Sequence, residues 1–149
     1  MTIGTKRAML AVLAISAAVV GVWAAAFPVS FYTGFPAPGR HWVSALGPYN
    51  EHLIRDVGGL YLALLVLSVW VLRRPTQALL RMTGGAWLIF NAEHFLWHAL
   101  HLDVFPLFDK IGTLVALGGV LVLSILLLIP ETKRADDSER QVPAENRSS

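Results

Sequence analysis

The sequence predicts an all-α membrane protein, a four-helix transmembrane bundle of up-down-up-down topology ending in a disordered tail. Three observations carry that expectation. Of 149 residues, 55% are hydrophobic and 15% charged, against about a quarter charged in an ordinary soluble domain. Four apolar runs, at about 8–27, 53–72, 78–102 and 111–129, each approach the ~20 residues that cross ~30 Å of hydrocarbon. All eight prolines lie in connections or at run ends, as uninterrupted helices require.

The first run follows Lys6-Arg7 and closes on Ala24-Ala-Ala26, a pattern shared with secretory signal peptides. Its apolar stretch of 20 residues exceeds the ~7–15 of a signal peptide, which favours a retained spanning helix. The connection 28–50 is turn-rich and carries Phe31, Tyr32, Phe35, Trp42 and Tyr49. Such aromatics anchor at the headgroup level, and a sharper expectation makes this connection a lid over the polar residues that follow it. The second and third runs are joined by the tight turn Arg73-Arg-Pro-Thr-Gln77, and residues 103–110 form a second aromatic connection with Phe105 and Phe108. Gly58-Gly59, Gly84-Gly85 and Gly118-Gly119 offer places where helix backbones can approach closely. Residues 131–149 are polar and of mixed charge; they bury too little apolar surface to order themselves, so a disordered cytoplasmic tail is expected.

With both termini cytoplasmic, the inner side receives nine basic residues (6, 7, 73, 74, 81, 133, 134, 140, 147) and the outer side three (40, 55, 110). This asymmetry follows the positive-inside rule and predicts a multi-pass protein of the cytoplasmic (inner) membrane. Net charge is +2 with no dense basic run, so nothing points to nucleic acid, and the absence of cysteine excludes disulfides, thiolate metal sites and thiol chemistry. The lipid bilayer is the expected surrounding, with a membrane-protein partner or a homo-oligomer as further expected contacts.

Function is expected in two polar stripes. Asn91, His94, His98 and His101 fall within roughly 80° on one helical face of the third run. His52, Arg55 and Asp56 open the second run. Ionisable groups in spanning helices turn inward toward partners or a cavity. An antiparallel hairpin of the second and third runs would place Asp56 level with His94 or His98, with room left by Gly59. Neutral imidazoles and a carboxylate suit zinc, iron, copper or nickel, and His94 and His98 stand at the i, i+4 spacing that chelates one ion. The candidate metal set is therefore His52, Asp56, His94 and His98, with Arg55, Asn91, Glu93 and His101 as a surrounding polar network; Glu93 points about 100° off the stripe. Paired histidines on different helices are also an arrangement that holds a haem axially. The leading expectation is a structural or partner-facing network, and the alternative is a transition-metal, haem or quinone site with a redox-linked role. No residue pattern assigns an enzymatic reaction.

The stretch Pro48-Tyr-Asn-Glu-His-Leu-Ile-Arg-Asp-Val-Gly58, followed by an apolar helix and then Glu93-His94 and His98, resembles small four-span bacterial membrane proteins of DoxX-like type, common in actinobacteria. The resemblance covers about residues 28–129, and Tyr-Asn-Glu-His-x-x-x-Asp-x-Gly is its most specific part. It implies an inner-membrane four-helix protein. Some DoxX relatives are linked to quinone-coupled sulfur oxidation, but none of their catalytic residues maps onto this chain.

Overall fold

The computed structural model describes residues 1–130, and the tail expected over 131–149 lies outside the described residues. Within them all regular structure is helical: α1 (Ile3–Ala26), α2 (Pro28–Gly34), α3 (Glu51–Arg73), α4 (Gln77–Leu100) and α5 (Leu107–Leu128), with short 3-10 turns at Ser44–Leu46 and Leu102–Val104. Three of these helices, α1, α3 and α5, are long and apolar enough to cross a bilayer, which marks a membrane protein. The expected third span, α4, is 24 residues long. It falls outside that group because Arg81, Asn91, Glu93, His94 and His98 dilute its apolar sequence.

The helix starts follow capping chemistry. Thr2, Asn50 and Thr76 each accept, through a side-chain oxygen, the backbone N–H three residues on, at 3.2 Å in every case, satisfying a donor that the first turn leaves free. Pro106 precedes α5, where its missing N–H costs nothing. The helix α2 was not expected in the turn-rich connection. Pro28 sets the helical φ at its first position, and Val-Ser-Phe-Tyr-Thr then contains no breaker before Gly34.

The closest helix pairs are α1 with α3 and α4 with α5; α3 and α4, joined by the tight turn, touch less. Glycine decides this. A Cβ at Gly58 would stand 2.5 Å from the Ala25 backbone nitrogen, and one at Gly84 2.7 Å from Leu127 Cβ. A Cβ at Gly21 would stand 3.1 Å from Leu62, a looser contact. The neighbouring glycines 59, 85 and 119 face open space, so each expected Gly-Gly pair contributes at most one packing residue. The main core gathers Leu10, Leu13 and Ala17 of α1, Tyr61, Leu64 and Val71 of α3, Leu80 and Trp87 of α4, and Leu127 of α5. Trp87 Nε1 donates to Ser68 Oγ at 3.0 Å, joining α4 to α3 inside that core.

Both ends of the molecule are tied. At one end Lys6 is fully buried and donates to Leu127 O and to Gln77 Oε1, each at 3.1 Å, and to Ile129 O. Gln77 Nε2 donates to the same Ile129 carbonyl at 3.2 Å. The starts of α1 and α4 are thereby fastened to the end of α5. At the other end, Asp109 in the first turn of α5 accepts from Arg40 and from Trp42 Nε1, both at 3.0 Å, which fastens the 27–50 connection across the bundle.

The packing separates two adjacent glycines. Gly58→Ala should destabilise the protein by about 1–3 kcal/mol through overpacking against α1. Gly59→Ala should be neutral or stabilising, by up to about 1 kcal/mol of helix propensity. Thermal unfolding of the two purified variants checks this, and equal melting temperatures would contradict the α1–α3 contact.

Candidate functional site

At the loop end of the bundle lies a cavity of about 340 Å³, partly open at the side where the exposed Leu53 and Val57 line it. Every long helix contributes to its wall: Val20 of α1, Ile54 and Tyr61 of α3, His94 and His98 of α4, and Thr113 of α5. Its roof comes from the 27–50 connection through Phe31, Phe35 and Trp42. Phe31 packs against Phe35 with ring centroids 4.7 Å apart, and Trp23 meets both rings edge-on. Trp42 is held by Asp109 and lies against α5 so closely that a side chain at Gly112 would stand 3.0 Å from it. Arg40, the second donor to Asp109, also lies over the Phe108 ring at 4.3 Å. The aromatic connection therefore covers the cavity.

The polar stripe of α4 divides by task. Asn91 is buried and donates to Ser124 Oγ at 2.8 Å and to Val120 O at 3.3 Å, a bond between neighbouring helices. His94 stacks on Phe90 at 5.2 Å and meets His98 edge-on at 4.6 Å. His98 is buried; among the described residues its Nδ1 has no hydrogen-bond partner, nor has Thr113 Oγ1, buried on the opposite helix. His101 lies beyond the cavity, exposed, with Nδ1 on Trp97 O at 2.7 Å and its ring stacked on Trp97. Glu93 is exposed, off the stripe as its position predicts.

The stripe of α3 points the other way. His52 and Asp56 pair with each other at 3.3 Å, and their side chains are 83% and 59% exposed. Arg55 pairs with Glu51 at 2.8 Å and donates to Ala25 O. The cause is helical phase: Ile54, Gly58 and Tyr61 are the buried positions, and 52 and 56 lie about 160° to 200° from Ile54 around the helix. The shared pocket of His52, Asp56, His94 and His98 is thus not assembled, and Gly59 opens outward instead of beneath it. Among the described residues no three His, Asp or Glu side chains converge as metal ligands, so the residues present do not fit a three- or four-donor metal site. His94 and His98 do not form a bis-histidine haem site with each other, because they stand side by side on one helix and cannot flank an iron from opposite faces.

Three residues of the site carried no sequence signal that singled them out. Thr113 is an ordinary hydroxyl in an apolar run, Asp109 reads as a charge at a span boundary, and Trp42 reads as an interfacial aromatic. The chain matches no family model, no curated protein and no solved structure.

The roof depends on Asp109. Asp109→Ala leaves Trp42 and Arg40 without their acceptor and should cost about 1–3 kcal/mol. Asp109→Asn keeps an acceptor for Trp42 Nε1 and should cost less. Thermal unfolding ranks the three proteins, and an alanine variant as stable as wild type would contradict the fastening of the connection to α5.

Proposed function

We propose that this chain is a four-span, up-down-up-down protein of the cytoplasmic membrane that binds a small, uncharged, largely apolar molecule in the cavity at its loop end. One observation carries the reading: a cavity partly open at its side and lined mainly by apolar and aromatic side chains, with His94, His98 and Thr113 in its wall and, among the described residues, no Asp, Glu, Lys or Arg. A volume of about 340 Å³ lies within the ~300–1,000 Å³ of small-molecule sites.

Two arguments support α4 as the fourth span. It matches α1 in length at 24 residues, and Asn91, His94 and His98 turn to α5 and the cavity, where polar groups of a spanning helix belong. The nine-to-three division of basic residues supports an orientation with the loop end outside and both termini inside. The DoxX-like resemblance supports the four-span reading and assigns no residue of the cavity. Binding is the activity proposed, and no reaction is assigned.

Naphthalene serves as a neutral apolar probe. In lipid nanodiscs it should raise the melting temperature of wild type, a ligand at about 100 Kd adding about 2.7 kcal/mol. Val20→Phe, which fills the cavity from α1, should melt at the same temperature with and without naphthalene. No shift in wild type, or an equal shift in Val20→Phe, would overturn the reading.

A further inference from the structure

We infer that the cavity takes its ligand from the bilayer, through a gap between α3 and α4 beside Leu53 and Val57. The ligand is then an uncharged compound dissolved in the outer half of the membrane, not a solute of the aqueous phase. This rests on the cavity being a ligand site in a four-span protein and adds the source of its occupant and the route by which it enters.

The wall is exposed only where it faces sideways. Among the described residues that line the cavity, the exposed ones are Leu53 and Val57 of α3 and Ala116 of α5, all on long apolar helices. No lining residue of the 27–50 connection is exposed. That roof is fastened from within and below: Tyr32 donates to Gly47 O at 2.9 Å, and Trp42 donates to Asp109 at 3.0 Å. A solute arriving from water would have to part these rings. A compound in the hydrocarbon meets an opening already bordered by aliphatic side chains.

The gap follows from how the helices are paired. Leu53, Val57 and Tyr61 recur every four residues, within about 80° on one face of α3. Tyr61 meets the Phe90 ring of α4 edge-on at 5.1 Å and the Trp87 ring at 6.2 Å. Among the described residues, no hydrogen bond, ion pair or ring contact joins α3 to α4 nearer the loop end than these. Gly58 commits α3 to α1, and Asn91 commits α4 to α5. The two helices therefore part beyond Tyr61: Val57 is 37% exposed and Leu53, one turn further on, 58%. Across the gap, His94 lies one turn beyond Phe90, half-buried and stacked on its ring at 5.2 Å. An uncharged compound passing between these side chains strands no charge in hydrocarbon. The exposed His52–Asp56 pair occupies the same turns of α3, and such polar groups belong at the headgroup boundary, so the gap opens just beneath it.

The test measures how fast 1-fluoronaphthalene enters the full chain in nanodiscs. Fluorine NMR gives its dissociation constant and exchange rate, and hence the association rate constant; Val20→Phe is the measure of simple partitioning into lipid. Val57→Trp narrows the gap and should slow association about tenfold or more, while Val57→Ala widens it and should speed association about threefold or more. Loss of packing against the ligand acts instead on the dissociation rate, so association is the readout that reports a route. Val66→Trp, on an exposed face of α3 away from the cavity, should associate at the wild-type rate. A wild-type association rate in either Val57 variant that folds and binds would overturn the route and leave the cavity reading standing, as would equal slowing by Val66→Trp and Val57→Trp. If wild type takes up no more probe than Val20→Phe, both fall. Val57→Ala decides the matter if Val57→Trp does not fold or does not bind.

Discussion

The arrangement of helices depends on how α5 is held at its two ends. Its last turn leaves carbonyls without intrahelical partners and carries the negative end of the helix dipole. The ammonium of Lys6 is fully buried against those carbonyls, at Leu127 and Ile129. A buried charge is tolerable only where such acceptors surround it, so the start of α1 is committed to the end of α5, and Gln77 brings the start of α4 to the same place. The first turn of α5 carries the opposite charge: Asp109, buried, suits the positive end of the dipole and collects Arg40 and Trp42 from the connection. One helix thus organises the tail end through an imported cation and the loop end through its own anion.

Between those clamps the packing is uneven, and the cavity is the consequence. Toward the tail end, Leu10, Leu13, Val71, Leu80 and Leu127 fill one continuous core, and Gly84 lets α4 lie directly on α5. Toward the loop end, α1 pairs with α3 through Gly58 while α4 stays with α5. Tyr61 and Trp87 mark the boundary, belonging both to the core and to the cavity wall. The space between the pairs is roofed by rings from a connection that Asp109 holds down. Asn91 closes one hydrogen-bonded step of the α4–α5 seam, and the unpartnered His98 and Thr113 stand at the next.

Much of this was legible in the sequence. Apolar runs and proline positions located the four long helices to within about five residues, because hydropathy marks the length of an apolar helix and backbone chemistry marks its breaks. The α4 stripe was legible for the same reason: Asn91, His94 and His98 recur on one face. Periodicity alone, however, states which residues share a face and not which way the face turns. His52 and Asp56 share a face as surely as His94 and His98 do, yet Gly58 rather than Gly59 packs on α1, and that choice, one residue wide, rotates them outward. The clamps were illegible because they join residues far apart: Lys6 to Leu127 spans 121 positions and Arg40 to Asp109 spans 69. Lys6 reads as one more inner-side positive charge until its acceptors are in view.

The central claim is that Thr113 is sealed inside the bundle while His52, on the proposed outer side, is exposed. The chain contains no cysteine, so single cysteines report their surroundings without background. In intact cells a bulky, membrane-impermeant maleimide should label His52→Cys rapidly from outside and leave Thr113→Cys unlabelled until the protein is denatured. Rapid labelling of Thr113→Cys in the folded protein, at a rate matching His52→Cys, would contradict the account.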